Sequence, residues 1–157
     1  KNHGYRPPAY WEEIARAREV SSINVIANGE IWNPADALRC LQVTGCTDLM
    51  LGRGVLCRPD LPRQVAALNN TQAPESLHWE QIPPLLLHFF ELNLANYDAR
   101  YAPNPVKQWL AYLRAYFPQA ALLFESIKRL RDPQALHARL RAEVERVQLD
   151  IKMTATA

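Results

Sequence analysis

Residues 23–54, INVIANGEIWNPADALRCLQVTGCTDLMLGRG, read as strand, loop, helix, strand, loop. Residues 23–27 are an apolar run carrying the β-branched Ile23, Val25 and Ile26, the composition of a buried parallel strand. Asn28-Gly29-Glu30 breaks the run. Asn33 is placed to cap a helix, Pro34 suits its first position and Asp36 suits its first turn. Ala37, Leu38, Leu41 and Gln42 continue that helix, and Gly45 can end it in the left-handed conformation. Residues 48–51 are the next strand, with Gly52-Arg53-Gly54 as the loop at its carboxyl end. A strand–helix–strand unit of this size is a parallel crossover. Both loops then leave carboxyl ends of strands, the face on which α/β proteins bind ligands.

Two functions fit those loops. Gly52 and Gly54 allow a sharp turn and a close backbone approach, and Arg53 between them offers a forked positive charge to a phosphate. Asn28, Gly29 and Glu30 add backbone donors and two polar side chains, which suits a phosphorylated cofactor with sugar or ribityl hydroxyls. The same residues also make an ordinary pair of turns, since short glycine-containing loops are common punctuation.

The residues themselves are more specific than their spacing. Residues 27–31 (ANGEI), Thr44-Gly45-Cys46, Asp48 and residues 50–54 (MLGRG) closely resemble the tRNA-dihydrouridine synthase family. Asn28-Gly29-Glu30 with Trp32 resembles its subfamily C. So do residues 1–6, similar to an Arg-Thr-Lys-x-x-Gly-Tyr-Arg segment, and residues 107–114 (KQWLAYLR). The resemblance runs from residue 1 to about residue 130. It implies an α/β segment followed by an all-α one: the last βαβ part of a TIM barrel, incomplete here, and a C-terminal four-helix bundle. Asn28, Gly29, Glu30, Gly52 and Arg53 would hold the phosphate end of FMN. NADPH would be the reductant and tRNA the substrate, with uridine 16 of the D-loop reduced to 5,6-dihydrouridine. The family's catalytic cysteine lies upstream, so no catalytic residue is assigned in this chain.

Length sets a further expectation. The chain has 157 residues and opens at Lys1, inside a family motif, whereas a whole barrel takes about 250. The resemblance thus implies the carboxyl-terminal portion of a longer enzyme, inactive alone. An amino-terminal barrel half, or a second copy, would complete it, because two strands cannot close a barrel and their flanks expose apolar surface.

The expected division is residues 1–70 as barrel segment, 71–76 as linker and 77–157 as helical tRNA-binding domain. Residues 11–20 read as an amphipathic helix with Trp11, Ile14, Ala15 and Ala17 inward, and residues 61–68 as a short helix with Leu61, Val65 and Leu68 on one side. Residues 69–76 (NNTQAPES) are polar and aperiodic. No glycine follows Gly54, and helix formers dominate the tail. Four helices are expected there, beginning near residue 81 or 84, near Asn104, after Pro118 and near Pro133 with Asp132 as cap. Leu85, Leu86, Phe89, Phe90, Leu92 and Leu94 make the first apolar on most sides. Leu136, Leu140, Val144, Val147 and Ile151 form a stripe on the last.

Charge is uneven. Residues 98–157 carry ten Lys/Arg and six Asp/Glu, net +4, and residues 1–97 carry eight and ten, net −2. A basic helical surface can dock a polyanion or simply be solvated. Under the resemblance it is a tRNA surface with Arg100, Lys107, Tyr112, Arg114 and Lys128 as contacts, recognising shape and backbone, while Tyr5 of the first loop would face the cofactor rim or the RNA. Lys107, Tyr112 and Lys128 fall at positions that contact tRNA in subfamily C. Pro105 stands where that subfamily usually has a basic residue, so that contact is lost or taken over by Arg100. Cys40, Cys46 and Cys57 form no metal pattern and no disulfide framework, which suits a reducing cytoplasm. No stretch is long and apolar enough to span a membrane, and no signal peptide is recognisable. Two other readings stay open: a stand-alone tRNA-binding helical module without catalysis, and a different FMN-phosphate barrel acting on a small molecule.

Overall fold

The computed structural model describes residues 7–68 and 74–154. The chain divides into two compact units, Lys1–Ser76 and Leu77–Ala157.

The first unit contains α1 (Trp11–Glu19), β1 (Ile26–Asn28), α2 (Pro34–Thr44), β2 (Asp48–Met50), α3 (Arg53–Cys57) and α4 (Leu61–Ala66). β1 and β2 pair in parallel, with Ile26 opposite Asp48, Ala27 opposite Leu49 and Asn28 opposite Met50. The crossover helix α2 starts as its sequence requires. The Asn33 side chain accepts from the Asp36 amide at 2.8 Å, Pro34 follows, and the Asp36 carboxylate accepts from the Trp32 amide at 3.0 Å. It ends at Gly45, φ 65°, whose amide donates to the Leu41 carbonyl.

Several expectations are corrected. β1 begins at Ile26 rather than Ile23 and runs on through Asn28, a residue expected to break it, and Ile23 is 76% exposed. The Ser21 hydroxyl bonds to both the amide and the carbonyl of Ile23, so a local turn takes that backbone out of the ladder. Gly52-Arg53-Gly54 is not wholly loop, because Arg53 already begins α3. On α2 the inward residues are Ala37, Cys40 and Thr44, while Leu38 is exposed. A helix with apolar residues at both 37–38 and 40–41 leaves its facing angle undecided until it packs. Ala17 is exposed too.

The second unit contains a 3₁₀ turn (Trp79–Gln81), α5 (Ile82–Asn96), α6 (Pro103–Leu113), α7 (Pro118–Ile127) and α8 (Pro133–Thr154). Every one of these four helices has proline in its first turn, where the lost amide has no helical partner anyway. Asp132 accepts from the Ala135 amide at 2.9 Å and so caps α8. α5 packs on α8 and α6, and α6 on α7. Their shared core includes Leu86, Phe90, Val106, Leu110, Leu123, Ile127, Leu136 and Leu140. Trp109 meets Phe89 edge to face at 5.4 Å.

Here also the periodic reading needs amending. Leu85 and Leu92, seven residues apart, are exposed, so α5 is not apolar-packed on most sides. Ile151 is half exposed, and the buried α8 stripe includes Glu143. Arg139 reaches Glu143 at 3.1 Å and Arg146 at 2.6 Å from adjacent turns of α8, which is how a carboxylate tolerates burial. Burial opposes its ionisation, but the bonds from Arg146 and Arg139 outweigh that and hold the carboxyl below the usual glutamate range.

Candidate functional site

Because β1 and β2 are parallel neighbours, the loops that follow them emerge side by side. Asn28, Gly29, Glu30, Gly52 and Arg53 all line one cleft of about 450 Å³, with Ala9, Ile31, Trp32 and Gly54. Gly29 has φ 120° and Glu30 φ 51°, so the loop after β1 makes a left-handed excursion at both residues. Trp11 of α1 pins it, its indole N–H donating to the Gly29 carbonyl at 2.9 Å. A Cβ on Gly29 would stand 2.9 Å from that of Ala9.

The glycines of the second loop differ in role. A Cβ on Gly54 would lie 2.1 Å from the Ile31 carbonyl oxygen, so its bareness lets the two loops touch. A Cβ on Gly52 would meet nothing within 4 Å, so its bareness leaves one side of the backbone open to the cleft.

At the mouth, Arg53 and Glu30 form an ion pair at 2.5 Å. The Trp32 indole N–H donates to the other Glu30 oxygen at 2.9 Å, and the Arg53 guanidinium lies 5.3 Å over the Trp32 ring. Sequence reading placed Arg53 and Glu30 in the cleft without pairing them, and it missed Trp32, which orients both, and Trp11, which holds the Gly29 carbonyl. Trp32 stands two residues after Glu30, so its role was legible; Trp11 lies 18 residues before Gly29, and no local signal links them. Cationic and anionic side chains at one rim suit a ligand that offers both a phosphate and hydroxyls.

The three cysteines are buried and free. Burial, with Cys46 adding to it, pushes the Cys40 thiol up to about 11. Burial also raises Cys57, against the pull of the nearby Arg53 charge. Thiols held protonated are poor nucleophiles. Among the described residues no group of His, Cys, Asp and Glu could hold a metal ion, and no helix is long and apolar enough to cross a membrane.

The candidate RNA contacts are distributed over the helical unit. Tyr5 lies outside the described residues. Arg100 is exposed, pairs with Asp98 at 3.6 Å and lies 4.5 Å over the Tyr101 ring. Tyr112 is half-buried on α6. Arg114 is exposed and lies 5.3 Å over Phe124. Lys128 is exposed and pairs with Glu125. Lys107 is half-buried, and its ammonium donates to the Leu130 carbonyl in the turn between α7 and α8. Burial and the neighbouring Arg131 charge hold that ammonium below the usual lysine range.

Comparison with known proteins matches the family model of dihydrouridine synthase (Dus) over residues 1–150. The chain belongs to the dihydrouridine synthase family. Proteins named tRNA-dihydrouridine(16) synthase are similar to it. That of Aquipseudomonas alcaligenes is 45% identical over 84% of this chain and 42% of its own length. That of Pseudomonas putida is 44% identical over 82% and 40%. That of Cupriavidus necator is 38% identical over 100% of this chain and 46% of its own length. The chain therefore spans less than half the length of these curated dihydrouridine synthases.

Proposed function

We propose that this chain supplies the phosphate-binding edge and the RNA-gripping helices of an FMN-dependent tRNA-dihydrouridine synthase that reduces uridine 16 of the D-loop with NADPH. The observation that carries the proposal is the shared cleft: two loops from adjacent parallel strands, a glycine backbone open on one side, and a guanidinium at the rim. Those residues fit FMN by their chemistry. Arg53 and the open amides around Gly52 would hold the phosphate. Asn28 would donate to or accept from ribityl hydroxyls, and Glu30 would accept from one, exchanging part of its bond with Arg53 for it. When bound, the flavin supplies hydride chemistry toward the uracil ring. The chain's own part is to fix the cofactor's anionic end and to hold tRNA so that the target uridine can be extruded from its stack.

In this reading β1 and β2 are the closing strands of a TIM barrel, and α5–α8 form a four-helix bundle that binds tRNA. The remaining strands come from an amino-terminal half or a partner copy. The proton donor to C5 is a cysteine outside these residues, so the isolated chain is inactive; the setting of the whole enzyme is the cytoplasm. Deleting the whole gene should abolish dihydrouridine at position 16 of tRNA; unchanged dihydrouridine there would overturn the proposal. Arg53→Ala in the complete enzyme should weaken FMN retention about tenfold, or ~1.4 kcal/mol, and unchanged flavin content would take Arg53 off the phosphate.

A second reading has one observation in its favour. The helical unit closes a core of its own, so it suits a tRNA-binding module that does no chemistry. Tight tRNA binding by the chain, in an organism whose tRNA keeps its dihydrouridine when the gene is deleted, would favour that reading.

A further inference from the structure

Glu30 is out of place twice. It is an acid at the rim of a cleft that suits a phosphate, and its backbone has φ 51°, a left-handed conformation that such a residue keeps where its surroundings hold it there. Two indoles supply that hold. Trp11 donates to the Gly29 carbonyl at 2.9 Å, and Trp32 donates to Glu30 Oε2 at 2.9 Å. The first bond fixes a direction. The peptide joining Gly29 to Glu30 is trans and planar, so its N–H points opposite to its carbonyl. The carbonyl turns back to Trp11, which does not line the cleft, so the Glu30 amide faces the cleft that Gly29 and Glu30 do line. That amide donates to no group among the described residues. The second bond divides the carboxylate: Oε2 stays with Trp32, and Oε1 is left to Arg53. Charge makes the division matter. Arg53 and Glu30 carry opposite charges, and no other described residue lining the cleft is charged. An anion there depends on backbone donors and on a carboxylate kept aside.

We infer that Trp11 and Trp32 are positioning residues for the phosphate of a flavin nucleotide, both acting through Glu30. Trp11 aims the Glu30 amide at the phosphate, and Trp32 holds the Glu30 carboxylate off it. The inference rests on the FMN reading above. Both indole N–H groups are engaged by the loop itself, so neither is a cofactor ligand. The clamp therefore acts on the phosphate end alone, and riboflavin, which lacks that end, gains nothing from it.

The test uses the complete enzyme stripped of flavin and titrated with FMN and with riboflavin, read by flavin fluorescence. Trp11→Phe and Trp32→Phe each keep an aromatic ring and lose the donor. Each should weaken FMN about fivefold and leave riboflavin unchanged. Trp11→Phe should also move the phosphorus resonance of bound FMN. Glu30→Gln removes the charge that Trp32 restrains. In that background Trp32→Phe should cost FMN nothing further, whereas Trp11→Phe should cost the same as in the parent. Equal losses of FMN and riboflavin, or a Trp32→Phe loss that persists beside Glu30→Gln, would reduce the indoles to packing and overturn the inference. FMN affinity unmoved in both tryptophan variants but weakened in Arg53→Ala would overturn it while sparing the phosphate reading. Affinity unmoved in all three would take down both. If riboflavin binds too weakly to titrate, a phosphorus resonance at its parent position in Trp11→Phe overturns the role of Trp11, and the Glu30→Gln cycle decides that of Trp32. Both tryptophans are half-buried, so phenylalanine retains most of their packing; if Trp11→Phe still fails to fold, the Trp32 cycle decides the clamp.

Discussion

Among the described residues, the fully buried side chains of the helical unit are mostly large, with Phe90, Ile82, Leu86, Leu110, Leu136 and Leu140 among them; in the crossover unit Leu61 is the large one, and the rest are small, such as Ala27, Ala37 and Cys40. The crossover strands also show apolar faces, with Ile26 57% and Met50 56% exposed. Composition separates the units only in part: no glycine follows Gly54 and helix formers dominate the second. The difference lies in where a segment finds its partners. Helices satisfy their own backbone and can close a core with sequence neighbours. Parallel strands leave hydrogen-bonding edges and both faces to be covered from elsewhere. The crossover unit accordingly keeps its precision for one place, the cleft rim, where Trp11, Gly29, Gly54 and Ile31 lock two loops together.

The comparison can be broken most directly at the helical core. Phe90→Ala should cost about 3–5 kcal/mol, read by urea unfolding of the chain's helical signal. A loss below about 1 kcal/mol would mean that this core is no better closed than the crossover. Next in size, Gly54→Ala forces a methyl against the Ile31 carbonyl and should cost about 1–3 kcal/mol, whereas Gly52→Ala should leave stability unchanged. Equal effects by thermal melting would erase the distinction between a packing glycine and an open one.

Glu143→Gln should cost about 1 kcal/mol near neutral pH. Its folded carboxyl titrates below the ordinary glutamate value, so its contribution is present above that value and is lost as pH falls through the lower, folded one. Acid titration of stability should therefore be flatter in the variant; parallel curves would remove Glu143 from the helical unit's support. Smallest of all, Ile26→Ala should change the chain's stability by less than about 0.5 kcal/mol, because that side chain has little to lose. A large loss would show that the exposed strand face is covered in solution.

Much of the local structure follows from short-range chemistry. Asn33-Pro34 starts α2 and Gly45 stops it, prolines stand in the first turns of α5–α8, and the break at Gly29-Glu30 ends β1. These signals act within one turn of backbone, where few conformations compete. Residue pattern alone also put Gly29, Glu30 and Gly52 on segments leaving the same ends of two parallel strands, whereas Asn28 closes β1 and Arg53 opens α3. Tertiary structure decided what those side chains do. It paired Arg53 with Glu30 over Trp32, turned Lys107 inward to Leu130, buried Glu143 between two arginines and exposed Leu38, Leu85 and Leu92. Each of these depends on how far a helix rotates about its axis, or on which distant group a long side chain can reach. Periodicity fixes a helix's apolar stripe but not its facing angle, and charge names a possible partner without choosing one.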